Sequence, residues 1–453
     1  MNRTEIIALA RDILKQTWPM VFGILSLMSF QLADSTFISQ LGVLPLAAQG
    51  FTLPLQMVII GLQVGLGIAT TAVISRILGQ KNDYRARQMG GLVIIMGAIG
   101  VFIMALIIWF IRDQILTLLG APAEVTPYIN QYWPVWLCSA WLGAMLYFAY
   151  SICRSHGNTF LPGILMMVTS IINIILDPIF IFYFDLGLQG AAIATICSFS
   201  IGLLIISPKL VNKNWLSFDW ESLHIVQSVK ELNAVMTPAM MSQLLPPLSS
   251  IIATKIVAGF GAAAVAGWAM VSRIEFFTIV VVLALTMSLP PMIGRLFGAK
   301  DCKTIISLVK IVVVFTVLLQ LILAAILFIF AAPLAAFFSA DSQVEAVIYQ
   351  YLVLVPISLS SLGVCMLMVS ICNSLLMSMR ALLISTLRLF VCYLPLVWVA
   401  SQLWLLEGVF IGVMLGNILA GLMAWSLYAN AIKKMSSNAA GINELQGNSF
   451  ERT

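Results

Sequence analysis

The sequence predicts an all-α membrane protein: twelve transmembrane helices in two pseudo-symmetric six-helix bundles. Three observations lead there. Of 453 residues, 61% are hydrophobic and only 9% charged, whereas a soluble chain carries about a quarter charged residues. With a mean hydropathy of +1.05, the chain has more apolar side chain than a soluble core can absorb, so lipid must solvate it. Its basic residues gather on one side of the expected spans, and its two halves repeat at one offset.

Hydropathy places the spans at 13–39, 48–76, 90–111, 126–152, 160–184, 188–208, 232–259, 265–294, 305–331, 343–373, 378–402 and 406–430. Several exceed the roughly twenty residues that cross a bilayer, which implies tilt or kinks. Helices are required because unpaired backbone groups are too costly in lipid. The first apolar run follows a basic, amphipathic lead and reads as a retained span, not a cleaved signal. With the N-terminus in the cytoplasm, all but four of the 23 basic residues fall in cytoplasmic segments or at inner span ends. The exceptions are Arg112 in an outer loop, and Lys255, Arg273 and Arg388 within spans. This obeys the positive-inside rule, supports an even span count and puts both termini in the cytoplasm. The net charge of +5 therefore speaks for membrane orientation and against a nucleic-acid partner.

Shifted by 219 residues, segment 74–81 falls on 293–300, sharing Arg-x-x-Gly-x-Lys. The same shift carries Ser151-Ile152-Cys153 onto Ser370-Ile371-Cys372, Tyr132 onto Tyr351, Gly42 onto Gly261 and Ala47 onto Ala266. One offset across separated segments implies parallel repeats of six helices about an axis along the membrane normal. The expected lobes are 1–208 and 232–431, joined by a cytoplasmic linker over 209–231 and followed by a polar tail over 432–453. Seven cysteines lie in or beside apolar stretches without CxxC or Cys/His spacing and read as small hydrophobes in helix packing.

Polar residues inside spans are expensive and therefore functional candidates. Asp34 in the first span, Tyr132 in the fourth, Asn173 and Asp177 in the fifth and Thr195 in the sixth share a depth of roughly 10 Å below the outer surface. Asn173 and Asp177, four apart, share one helix face. Of their mates at the offset (Ala253, Tyr351, Cys392, Leu396 and Met414) only the tyrosine recurs, so the carboxylates belong to one lobe and Tyr132 also fits a packing role. Two carboxylates in a partly dehydrated site cannot both ionise cheaply, so such a cluster takes up a proton or a small cation. Sodium would be held at Asp34, Asp177 and Asn173. Pro178 removes a backbone donor and frees the Ile174 carbonyl as one more oxygen. Gln31, Gln56 and Met28 are candidates for a substrate cavity. Lys255, Arg273 and Glu275 read as a local ion pair with snorkelling lysine, and Arg388 could face the cleft or the inner surface.

The stretch 162–195, with Asn173-x-x-x-Asp177-Pro178 and Gly187-x-x-Gly190-Ala191-Ala192-x-Ala194-Thr195, follows Arg154-x-x-Gly157-Asn158-Thr159. Together with Ala33-Asp34 and Arg76-x-x-Gly79, it resembles multidrug and toxic compound extrusion (MATE) transporters, closest to the DinF-like prokaryotic branch. The resemblance implies a cation-responsive cluster at Asp34, Asn173, Asp177, Tyr132 and Thr195. It also implies export, across the bacterial inner membrane, of organic, often cationic lipophilic drugs or toxins against inward H+ or Na+; a monomer is expected, because the two lobes already supply both sides of a cleft. No cofactor beyond the coupling ion is implied. Branches with acidic residues on the seventh and tenth helices differ, since Gln243 and 366–373 offer no carboxylate.

A flippase for lipid-linked oligosaccharides or precursors is the alternative; such proteins carry fourteen spans or a basic central cavity, while the cluster here is acidic. An enzyme is not expected, because no HExxH, GxSxG, CxxC or Walker spacing occurs and His156 and His224 stand in loops.

Overall fold

The computed structural model describes the backbone of residues 3–450 and the side chains of residue 5 and residues 7–433. The polar tail expected over 432–453 lies almost wholly outside the described side chains. Among the described residues the chain is helical throughout its ordered elements, with no strand. Ten helices are long and apolar enough to cross a membrane. An eleventh, Ile225–Ala258, has the length, and the segment Ser378–Lys433 breaks at Trp404 and Leu405, where φ reaches −129° and 54°. It therefore crosses twice, and the count is twelve. Large apolar side chains point outward around the bundle, among them Phe102, Phe110, Leu204, Ile251, Phe328 and Leu422, as lipid solvation requires.

Several spans are broken where the sequence suggested one helix. The second begins with a short helix, Val43–Gly50, before Leu53–Gly79. The eighth is split into Ala262–Thr278 and Val280–Gly298. The tenth runs as Ser342–Leu354 and Leu359–Ser374 around Pro356, whose ring cannot continue the hydrogen-bond ladder. Past Pro178 the fifth span, Phe160–Pro178, loosens into a π-helical turn over Ile179–Tyr183.

The repeat is visible in the backbone. Gly42 and Gly261 take φ of 109° and 104°, Lys81 and Lys300 take 60° each, and Gly157 and Leu376 take 80° and 58°; each pair is 219 residues apart. The third span, Asp83–Phe110, and the ninth, Cys302–Ile329, are offset by the same distance at both ends. Their caps match too: Asn82 accepts from the Arg85 N–H and Asp301 from the Thr304 N–H, satisfying donors the first helical turn leaves free.

The two bundles meet at the end where the basic residues gather. A Cβ on Gly79 would stand 2.1 Å from the Arg295 carbonyl oxygen, and one on Gly298 would stand 2.1 Å from that of Arg76. Only glycine lets the two backbones approach this closely. Arg76 reaches across to Glu231 (3.2 Å), which also pairs with Arg85 (2.9 Å). Its mate Arg295 reaches back to the Ser155 carbonyl at 3.4 Å.

Candidate functional site

At the opposite end, the first bundle encloses a cavity of about 370 Å³ whose wall includes Gln31, Asp34, Gln56, Tyr132 and Thr195. Asp34 comes from the last turns of the first span, Arg3–Ser39. Gly42, at φ 109° and ψ −177°, a backbone that favours glycine, lets the short helix after it fold back. From that helix Gln49 donates to Asp34 Oδ2 at 3.1 Å. The other oxygen, Oδ1, is buried without a hydrogen-bond partner.

Asp177 and Asn173 stand behind this wall, 0% and 1% exposed. They are held there by the close approach of the sixth span, Gly187–Asn212: a Cβ on Gly190 would lie 2.6 Å from the Phe180 carbonyl oxygen. With its amide nitrogen turned to Asp177, Asn173 donates to Oδ2 at 3.0 Å. Its oxygen then accepts from the hydroxyl and backbone N–H of Thr195, at 3.1 and 3.2 Å. Thr195 thus links the buried pair to the cavity wall. Asp177 Oδ1 is also buried and unpartnered. The Tyr132 hydroxyl lies within electrostatic reach of both carboxylates, and these lie within reach of each other.

The arrangement has two acids, each with a spare oxygen shielded from water, and neutral oxygen ligands around them. Burying such oxygens uncompensated is costly, so the site favours uptake of a proton or cation. No cluster of three or more His, Cys, Asp or Glu side chains suited to a metal occurs among the described residues.

Of the expected cavity residues, Gln31 and Gln56 line it. Met28 does not; it packs against the apolar core of the first bundle, since its helix turns that face inward. Gln49 was not anticipated, because hydropathy hides the short helix that presents it. In the second bundle, the expected ion pair among Lys255, Arg273 and Glu275 is not formed among the described residues: the two cations are exposed, and Glu275 Oε2 instead accepts from the Tyr351 hydroxyl at 2.9 Å. The recurring tyrosines therefore each stand near a carboxylate as well as packing.

A second cavity, of about 280 Å³, lies on the boundary between the bundles, and Arg388 faces it. The two cavities share Val64, Tyr147 and Met287. The first bundle gives this wall six residues, and every one has its mate 219 positions on in the same wall. Thr71 answers to Pro290, Tyr147 to Met366, and Arg154 to Asn373. The cavity therefore straddles the pseudo-twofold axis.

The model of the MatE family matches residues 19–179 and again 238–399, once in each half. A crystal structure of the Vibrio cholerae MATE transporter VcmN in the bent form is 57% identical, covering 95% of this chain and 99% of that one, with a TM-score of 0.94. The FAD transporter of Shewanella oneidensis is 29% identical over 444 residues, 95% of this chain and 97% of that protein. The multidrug export protein MepA of Staphylococcus saprophyticus is 28% identical over 331 residues, 72% of this chain and 73% of its own length. The twice-matched family model and the near-complete likeness to VcmN establish that this multi-pass membrane protein belongs to the MATE family of transporters.

Proposed function

We propose that this protein is a secondary active exporter that moves organic, often cationic lipophilic compounds outward in exchange for inward H+ or Na+. One observation carries the reading: Asp34 and Asp177 each keep a buried, unpartnered oxygen at one shared site. A proton or sodium ion satisfies those oxygens, and neutralising Asp34 weakens its bond from Gln49, which ties the end of the first span to the start of the second. Exchange follows because cation and cargo favour different conformations of that span, as coupling requires. The likeness to MepA supports a drug-like cargo.

In this reading lobes 1–208 and 232–431 act as one monomer in a bacterial inner membrane, linked over 209–231, with both termini cytoplasmic. The basic end is then cytoplasmic and closed, so the molecule faces outward. Fluorescent-dye transport into inside-out vesicles, with pH and Na+ gradients imposed separately, tests the proposal. Asp34→Asn should abolish transport at normal expression; undiminished transport in that variant would sink it.

The second cavity favours a second reading. Arg154 is 3% exposed and faces the boundary cavity together with Arg388. The central cleft is thus cationic, and with the likeness to the FAD transporter this supports a cargo that carries negative charge. It also weakens one argument against the flippase, that the charged cluster here is acidic where a flippase has a basic central cavity.

A further inference from the structure

The Arg154 guanidinium makes two side-chain contacts, to Ser151 Oγ at 2.8 Å and Met287 Sδ at 3.9 Å, and lies 5.1 Å from the Tyr147 ring centroid. Among the described residues no carboxylate pairs with it. A buried cation without a counter-charge is strongly disfavoured in this setting. Across the axis its mate Asn373, 3% exposed, has an Oδ1 that is buried and accepts no hydrogen bond. Arg388, the second cation on the wall, is only half-buried, so Arg154 is the fully buried charge without a counter-ion. The rest of the lining is mainly apolar, with Tyr147, Met287 and Met366 prominent.

We infer that this axial cavity binds the phosphate of an organic monoester, with Arg154 holding its oxygens and Asn373 Oδ1 accepting a hydroxyl proton from the same molecule. A phosphate monoester supplies both needs: it carries a charge near −1.5 to −2 at neutral pH, and it keeps a P–OH for part of the time. A lone carboxylate group would answer Arg154 but offer Asn373 no proton. The apolar lining takes an aromatic or alkyl body, and arginine suits phosphate oxygens by its planar fork. This rests on the exporter reading in its second form and deepens it.

The test is equilibrium binding to the full-length protein in phosphatidylcholine vesicles, using riboflavin and riboflavin 5′-phosphate, a pair that differs only in the phosphate. The phosphate form should bind roughly ten- to hundredfold more tightly, the range for a hydrogen bond to a charged group. Arg154→Gln should erase that ratio, and Arg154→Lys should keep part of it. Asn373→Asp, which adds a carboxylate to the same wall, should also erase it, and it serves if Arg154→Gln does not fold. Equal binding of the two flavins by the native protein, or an unchanged ratio in both Arg154→Gln and Asn373→Asp, overturns the proposal. Vesicles containing phosphatidylglycerol separate the sources of phosphate. A ratio lost only in those vesicles assigns the site to a lipid phosphodiester and overturns the monoester, and a ratio kept supports a soluble monoester. Binding needs no ion gradient, so its failure alongside Asp34-dependent dye transport removes this site and leaves the exporter standing.

Discussion

The imidazole of His156 lies just past the fourth span, stacked 4.6 Å from the Trp215 ring at 18°, with Nδ1 donating to the Ile152 carbonyl at 3.0 Å. Burial pushes it down from 6.5 to about 4, so between those values the unfolded chain binds the proton more readily than the native one. His156 therefore contributes stability that is complete above pH 6.5 and lost as pH falls toward 4. Replacing it by Phe, which keeps the stacking, should lessen the drop in Tm between pH 7 and pH 5; equal drops in both proteins would count against this. Asp177→Asn should abolish dye transport, as Asp34→Asn is expected to, with a transport assay across imposed pH steps as the check. At this scale the sequence was informative where a charge in a span is costly: Asp34, Asn173, Asp177, Tyr132 and Thr195 do come together. It was silent on Gln49, whose polarity is ordinary beside an outer loop, and misleading on Glu275, whose partner is a tyrosine far along the chain.

Helix ends were legible to within four residues where apolar runs met charges or glycine: the expected ends at 76 and 294 compare with Gly79 and Gly298. Internal breaks were not, because a split span such as Ala262–Thr278 with Val280–Gly298 keeps the hydropathy of an unbroken one. Two glycines fix the elements that carry the acids. Gly42 has open space around its missing Cβ but φ of 109°, so Gly42→Ala tests backbone strain alone and should cost about 1–3 kcal/mol. Gly163 has an ordinary helical backbone, but a Cβ there would lie 2.4 Å from the Pro19 carbonyl oxygen. Gly163→Ala must therefore push the first span off the fifth, at about 1–3 kcal/mol, and should reduce transport as well by displacing Asp34. Thermal unfolding in detergent measures both; a neutral Gly163→Ala would show that the spans slide freely.

Over the whole molecule, the offset seen in the sequence recurs as matched backbone angles, matched caps and a shared axis. What the sequence could not supply was the contact between halves, since the reciprocal packing of Gly79 and Gly298 depends on tertiary approach. This contact, with the Arg76–Glu231–Arg85 group, holds the basic end shut. Gly298→Ala should open it, read as a longer distance between spin labels at Asp83 and Lys303. Glu231→Gln should act in the same direction but less, because these ion pairs are partly exposed and screened.

The axial cavity has one more consequence. A molecule lying on a near-symmetric axis meets two similar walls and, by shape alone, has two nearly equivalent poses related by a half-turn. Arg154 on one side and Asn373 on the other break that degeneracy, so under the proposed binding a charged molecule would lie one way round while an uncharged one would adopt both poses. Substituting Asn373 by Arg would weaken that preference, leaving Arg388 as the charge without a counterpart across the axis.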